Sequence, residues 1–562
     1  MPLTARCLLI ALDFLLLSSP SIIEQRFGAG SHPYAIATLL LVVVNAPLIW
    51  WWERSTRGVE EPVASPRLRL IAALLVGVAA AFVLLAASQA WLREILIHPH
   101  DSQRADMLVV IQAGIKRLLR GENPYTIYQV PWPAPLPYGP VMWAPFIVPH
   151  LLHADVRFVT ILGALFVPTC AAVAAVAAAE RGRLAPAAAF AILLAAIALN
   201  ADLHRFIAIG HTPAYWPVLA AFAWVVARQR WLAAAMLCGL LIVGRSTMVS
   251  VAPVLLMAVW LRARARFIGA LVVLAAAALL PYLPFAIADL SALKYALFDS
   301  YQSVMKGFVW TSTTWVQHTI GATGLLLSRG WKGAVELVQV AAMLAVYAAA
   351  WRAIRRGRAP LPWMGLALLA FSMTTLWPVI YVYFDVFLLL ACAALAESTW
   401  IRGSRLLPAW TATLATGLAL LVVTAWRVTP LNPSIDVGTG AARPYLYAGF
   451  VARDDRQPDR TFTWVVGDRA EVLIPRRSTS EATIDIVCEP PVASGAAGPH
   501  MSVLLNGSVL DTILLTEGWQ QISVRAPGRV WQIGVNELVL FVSGDNSRRL
   551  SLALDRLIVR TN

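Results

Sequence analysis

Charged residues are scarce in this chain, and motifs of soluble catalysis are missing. Asp, Glu, Lys and Arg make up 14% of 562 residues, against 59% hydrophobic types. A soluble fold of this size does not need that much apolar side chain. No GxxxxGK[ST] and no GxGxxG run occurs, so neither a cytoplasmic nucleotide site nor a transport ATPase is indicated. No His/Asp/Glu spacing matches a metal box. The five cysteines, Cys7, Cys170, Cys238, Cys392 and Cys488, include no CxxC and no close pair. Neither a zinc site nor a disulfide framework is supported. No internal repeat is visible. The net charge of +14 read alone suggests nucleic acid, but the arginines fall in short connections between apolar runs. Membrane topology explains that placement, and no nucleic-acid partner is expected.

What the chain has is repeated apolar runs, many long enough to cross a bilayer as helices. Thirteen candidate spans are read at 7–23, 34–52, 69–93, 156–180, 184–200, 213–228, 231–243, 247–261, 267–288, 334–354, 361–378, 380–398 and 405–427. The first contains Asp13 and lacks a clean cleavage site, so it is expected to be a retained helix. Basic residues then order the connections. Arg6 precedes the first span; Arg54, Arg57, Arg67 and Arg69 follow the second; Arg181 and Arg183 follow the fourth. Arg228 and Arg230, then Arg262, Arg264 and Arg266, then Arg352 to Arg358, then Arg402 and Arg405 follow alternate spans. Every cluster falls on one side, which is the cytoplasm by the positive-inside rule. The expectation is a multi-pass protein of a bacterial-type plasma membrane, with a cytoplasmic N-terminus and outer loops at 94–155 and 289–332.

One apolar stretch is ambiguous. Tyr138 to Leu152 could be a span, but it carries Pro140, Pro145 and Pro149, and counting it would reverse every later connection. It reads as an interfacial or re-entrant helix on the outer face. The outer loop before it begins an amphipathic stretch, DMLVVIQAGIKRLLRG, with Met107, Leu108, Ile111, Ile115, Leu118 and Leu119 at helical spacing. Asp106 opens this helix, where the dipole favours a carboxylate. Spacing alone leaves Asp106 as either a cap or a reacting group. Asn123-Pro124-Tyr125 turns the chain. Trp132, Pro133, Pro135, Pro137, Tyr138 and Pro140 follow, suited either to stacking on sugar rings or to an interfacial belt. Arg205 and His211 are outside as well, as are Lys306, Trp310, Trp315 and His318. Arg245 stands in the Gly-Arg-Ser connection between spans seven and eight. An arginine there either snorkels to lipid phosphate or holds a substrate phosphate.

The order of a helix running outward, an Asp opening a surface helix, G-x-N-P-Y and then Y-x-P resembles the GT-C superfamily of membrane glycosyltransferases. The stretch from Ile209 to Leu255, with a G-[QH]-x run and a basic residue in a helical pair, resembles the polyprenol-phosphate-mannose-dependent mannosyltransferase and arabinosyltransferase branch. The resemblance covers roughly residues 69 to 427. It implies an inverting glycosyltransferase that moves a sugar from a polyprenyl-phosphate donor to a glycan or lipid-linked acceptor. Asp106 would be the general base and Arg245 with Arg205 the donor-phosphate ligands. His211, Tyr125, Tyr138 and His318 complete the expected substrate-binding set. No cofactor is implied, and no residue cluster calls for a divalent metal. The chain departs from the pattern in two extra N-terminal spans, in His211 where a glutamine is usual, and in Arg245 where a lysine is usual. The competing reading is a transporter or flippase of lipid-linked glycans, which predicts charges along a mid-membrane path.

From Tyr445 the pattern changes to short alternating runs, TFTWVVGDRAEVLI, ATIDIVCE, HMSVLLNGSVLDTILL, QQISVRA, NELVLFVSG and LSLALDRLIVR. These predict about eight strands in a β-sandwich or jelly roll, with Asn506-Gly507 as a hairpin turn. The division expected is a membrane domain over 1–430 and an extracytoplasmic sandwich over 431–562. The sandwich resembles galactose-binding-like and carbohydrate-binding modules. Trp464, Trp519 and Trp531 are candidates for a glycan platform or for the core. Asn506-Gly507-Ser508 is also a formal glycosylation sequon, which the hairpin explains better.

Overall fold

The computed structural model describes residues 3–27, 33–54, 64–97, 106–129, 133–375, 381–397, 405–428, 432–451, 455–457, 460–491, 498–543 and 550–561. Trp132 and Arg402 lie outside these residues. The helices used below are α1 (Leu3–Phe27), α2 (Pro33–Arg54), α3 (Pro66–Ile97), α4 (Asp106–Leu119), α5 (Arg157–Glu180), α6 (Ala201–Ile209), α7 (Trp216–Ala227), α8 (Trp231–Gly244), α9 (Ala252–Arg262), α10 (Phe267–Leu279), α11 (Ala334–Arg355), α12 (Tyr381–Glu397) and α13 (Leu407–Val428). Among the described residues six helices are long and apolar enough to cross a membrane, and seven shorter apolar helices accompany them. Together they match the thirteen spans read from the sequence. Their outward faces carry Leu75, Val78 and Phe82 on α3, Val272 on α10, and Leu337 and Leu344 on α11, all largely exposed. Apolar side chains directed outward on apolar helices belong in a bilayer, and the chain is a membrane protein.

Two compact units are present. The first comprises Met1–Ser88, Val110–Pro145 and Val159–Leu418; the second comprises Gln89–Val109, Phe146–Phe158 and Ala419–Asn562. Within the first, α1 packs on α2 and α12, α7 on α8 and α12, and α8 on α10. Small residues permit the close approach of α8 and α10: a Cβ on Gly239 would lie 2.6 Å from Leu274 O. The connections sort into groups. Ala64 N bonds Gly182 O at 3.3 Å, Arg405 N bonds Glu180 Oε1 at 2.7 Å, and the Arg262 guanidinium donates to Arg358 O. At other helix ends His318 Nε2 lies 2.8 Å from Glu24 Oε1, and Gly321 N donates to Thr38 Oγ1 at 2.8 Å.

The stretch read as an interfacial helix is a broken one. It runs as Pro140–Trp143, a 3-10 turn Ala144–Phe146, and Ile147–Leu151. Its prolines remove donors along the run, which explains why no continuous span forms. Ahead of it, β1 (Ile127–Gln129) and β2 (Pro133–Pro135) form a small antiparallel pair. Burial pushes the Tyr128 phenol up to about 12, and its hydroxyl donates to Pro124 O at 2.5 Å.

The second unit holds the sandwich. Its strands are β3 (Ser434–Asp436), β4 (Leu446–Ala448), β5 (Asp455–Gln457), β6 (Arg460–Val466), β7 (Arg469–Arg476), β8 (Ala482–Glu489), β9 (His500–Leu505), β10 (Ser508–Leu514), β11 (Gln520–Ala526), β12 (Gly534–Ser543) and β13 (Leu550–Thr561). One sheet has the order β10-β9-β12-β7-β4 and the other β11-β8-β13-β6-β5, with β3 beside β13. The eight expected strands are all present. β3, β4 and β5 are additional, each only three residues long and so too short to show an alternating pattern. Asn506 and Gly507 both have positive φ, 49° and 75°, as a two-residue hairpin of this type requires. The Asn506 amide donates to Val530 O and Asn536 Oδ1, both at 2.8 Å.

The same unit contains a fully buried ion pair. Arg157 Nη2 lies 2.6 Å from Asp155 Oδ2 and 2.7 Å from Ile95 O. Asp155 N donates to Ile533 O at 3.0 Å, and Ile533 N donates to His153 O at 2.6 Å. The turn before β12 is thus stitched to the 153–157 corner by backbone bonds.

Candidate functional site

The strongest polar constellation of the membrane unit gathers around Arg245. Helix α8 ends at Gly244, Arg245 is extended (φ −149°, ψ 119°), and a 3-10 turn leads into α9, which carries Pro253 in its first turn. A glycine before the break and a proline after it interrupt an otherwise continuous apolar run. The break leaves the Arg245 side chain 15% exposed. Its Nε lies 3.1 Å from Asp385 Oδ2, and its Nη1 donates to Thr212 Oγ1 at 2.8 Å. Asp385, on α12, is completely buried, and its Oδ1 accepts the Trp216 indole N–H at 3.0 Å. No described residue accepts from Arg245 Nη2 in a hydrogen bond.

Asn200 sets the entry to this site by capping α6, accepting Leu203 N at 3.0 Å while its amide donates to Phe14 O at 2.8 Å. The link Gly210-His211-Thr212 then leads into α7. Thr160 Oγ1 donates to Gly210 O at 3.1 Å, and a Cβ on Gly163 would lie 1.9 Å from Pro213 O, so α5 presses directly on the link. His211 is 6% exposed, and neither ring nitrogen has a hydrogen-bond partner. Burial, then the charge of Arg245, pushes its pKa down to about 3. The ring of Tyr138 lies over it at 4.1 Å between centroids. The phenols of Tyr215, Tyr138 and Tyr301 lie near enough to act electrostatically on the guanidinium.

The outer segment is held tightly against this region. A Cβ on Gly139 would lie 2.2 Å from both Tyr282 Oη and Val243 O. Only glycine allows the chain bearing Tyr138 to pass that close to the end of α8. Tyr125 is buried and donates to Tyr138 O at 3.0 Å, so its hydroxyl braces the same segment. Its edge also lines a cleft of about 410 Å³ with Thr126, Ile127, Pro135, Ser291, Ala292 and Tyr295.

The structure therefore brings Arg245, His211 and Tyr138 together, with Tyr125 one step behind. His318 is placed elsewhere, bonded to Glu24 and edge-on to Tyr34. Asp106 is the first residue of α4, as its sequence position suggests; its side chain and that of Arg205 fall outside the described residues. Sequence reasoning missed Thr212, Trp216, Tyr301 and the pairing of Asp385. Arg245 was expected to meet lipid or substrate phosphate, and a carboxylate of the chain already holds one edge of it.

On the sandwich, Trp531 is a core residue, 1% exposed, with the Arg476 guanidinium 4.3 Å from its ring centroid. Trp464 and Trp519 are half-buried and meet Phe462 edge-to-face, at 5.7 and 5.3 Å. Among the described residues no three His, Cys, Asp or Glu side chains are grouped to hold a metal ion.

No protein-family model matches the chain, and no curated protein matches it. Among solved structures it is similar to the C-terminal CBM6 of LamC, a marine laminarinase from Zobellia galactanivorans. That match has 15% identity, covers 23% of this chain and 99% of that one, and has a TM-score of 0.17. It is similar to a family 35 carbohydrate-binding module from Clostridium thermocellum, at 10% identity over 24% of this chain and 100% of that one, TM-score 0.18. It is also similar to the arabinosyltransferase EmbB from Mycobacterium smegmatis, at 11% identity over 94% of this chain and 68% of that one, TM-score 0.20.

Proposed function

We propose that this protein is an inverting glycosyltransferase that moves a sugar from a polyprenyl-phosphate donor to a glycan or lipid-linked acceptor on the outer face of the membrane. The observation that carries the reading is the half-satisfied guanidinium at the α8–α9 break. Asp385 fixes Arg245 through Nε, 3.1 Å from Oδ2, and Thr212 takes Nη1. The ion pair makes the buried arginine tolerable before any ligand arrives. Nη2 remains for a phosphate oxygen, and a planar fork suits that partner. During transfer the acceptor hydroxyl attacks the anomeric carbon and the bond to the phosphate oxygen breaks. The charge that develops on the departing lipid phosphate meets a fixed cation in an apolar surround, where such stabilisation is strong.

The acceptor proton needs a base, and Asp106 is assigned that role from its place at the start of α4 in the sequence pattern. The connections bearing Glu24, Tyr138, His211 and His318 form the outer side in this reading, and the arginine-bearing connections that bond one another form the cytoplasmic side. The sandwich is then extracytoplasmic. Protein purified in lipid nanodiscs, given a radiolabelled polyprenyl-phosphate sugar, should transfer it. Asp106→Asn should abolish transfer while leaving binding of polyprenyl phosphate intact, and Arg245→Met should abolish that binding. Full transfer by Asp106→Asn at normal membrane expression would remove Asp106 as the base, and full phosphate binding by Arg245→Met would remove Arg245 as the phosphate ligand.

A further inference from the structure

A buried imidazole with both nitrogens unbonded is costly, because each lost partner leaves a desolvated polar atom. His211 is in that state, 6% exposed, with no hydrogen-bond partner for Nδ1 or Nε2. Its neighbour in sequence, Thr212, accepts from Arg245 Nη1 at 2.8 Å. It therefore stands directly beside the cation assigned to the lipid phosphate. The groups that face it are the Tyr138 ring, 4.1 Å away between centroids, and the positive charge of Arg245.

We infer that His211 reads a hydroxyl of the transferred sugar, and that the ligand reaches it when the ring of Tyr138 moves aside. The inference rests on Arg245 as the phosphate ligand. The chemistry selects the class of group. A neutral imidazole offers one N–H and one lone pair. A sugar hydroxyl both donates and accepts, so a sugar with two neighbouring hydroxyls meets both needs. A second phosphate or a carboxylate only accepts, and would leave the lone pair unmet. Protonation would make His211 a pure donor suited to an anion, but burial and the adjacent guanidinium hold its pKa down, at about 3, so it stays neutral at working pH. Geometry supports the position as well, since the sugar is bonded to the phosphate that Arg245 holds. His211 is thus a specificity residue for the sugar, distinct from the phosphate ligand.

The test uses the full chain in nanodiscs and measures binding of three probes: farnesyl phosphate, farnesylphosphoryl-mannose and farnesylphosphoryl-arabinofuranose. Two variants are compared, His211→Phe, which keeps a ring against Tyr138, and His211→Gln, which keeps a donor and an acceptor. His211→Phe should bind farnesyl phosphate as the wild type does and bind the preferred sugar-bearing lipid about 10-fold or more weakly. His211→Gln should recover most of that loss. A packing role predicts the reverse order, with Phe retaining binding better than Gln, and that order would overturn the inference. So would a wild-type protein that binds neither sugar-bearing lipid more tightly than farnesyl phosphate, or an equal loss on all three probes. Arg245→Met separates the two claims. If it still binds farnesyl phosphate, the phosphate assignment fails, whatever the His211 variants do.

Discussion

Replacing Asp385 by Asn is the sharpest perturbation of the membrane unit. Asn fits the same space, and its carbonyl can still accept the Trp216 indole bond now made at 3.0 Å. What is lost is the charge facing Arg245. At the observed 3.1 Å and an effective dielectric constant of about 20, the attraction is about 5 kcal/mol. The guanidinium is 15% exposed, so water and headgroups recover part of this. The expected loss is about 3 kcal/mol, within the range for removing one partner of a buried pair. Titrating the purified protein in mixed micelles with dodecyl sulfate, followed by tryptophan fluorescence, gives the free energy. Arg245→Met should cost a similar amount by leaving Asp385 uncompensated. The double variant Asp385→Asn with Arg245→Met should cost about 2 kcal/mol less than the sum of the two single variants, yet remain unable to bind polyprenyl phosphate. Strict additivity, or a loss under about 0.5 kcal/mol for Asp385→Asn, would show that the pair is not a coupled unit and would refute this reasoning.

Other outcomes follow from contacts already described. Gly139→Ala places a methyl 2.2 Å from a phenol oxygen and a backbone carbonyl. It should destabilise by about 1–3 kcal/mol in the same titration, and adding Tyr282→Phe should relieve only part, because Val243 O cannot move away. Arg157→Met strands the Asp155 carboxylate, 1% exposed, and should cost about 3–5 kcal/mol. Limited proteolysis should then cut the 153–157 corner, which resists in the wild type. Cys488 is completely buried and its thiol is pushed up to about 12. Maleimide at pH 8 should leave it unmodified in the folded protein and label it once denatured, and prompt labelling of the native form would contradict the sandwich core.

Much of the fold is legible because two periodicities dominate it. Continuous apolar runs fixed the thirteen helices, and alternation fixed the eight longer strands. The Asn506-Gly507 turn was readable because only a few residue types accept positive φ at two successive positions. The three-residue strands β3 to β5 were not readable, since pairing with a neighbour defines them and no local pattern does. Trp531 shows the same limit. It follows the 3-10 turn Gly528–Val530, outside any strand, and its burial against Arg476 is decided by packing. The link from Asp155 to Ile533 is a backbone contact between distant segments, and no side-chain pattern announces it.

The site divides along the same line. Arg245 could be singled out because an arginine inside apolar sequence demands an explanation. Its partner was open to deduction by elimination, though the sequence pattern does not name it. A buried cation in a bilayer calls for a carboxylate at similar depth, and the membrane helices carry few. Asp13 is one, but Asn45 of α2 donates to it at 2.9 Å, and Glu336, in the first turn of α11, pairs with Lys306 at 2.8 Å. Asp385 stands a little over one turn inside α12, in a run otherwise apolar, and lacks any basic residue at i±3 or i±4. A carboxylate so placed needs a long-range cation as much as Arg245 needs an anion. Unlike the carboxylates, His211 raises no question of charge, and only its place in the G-[QH]-x run marked it for the substrate-binding set. Its meaning comes from two unbonded nitrogens in a closed site beside a held cation, and only the fold brings those together.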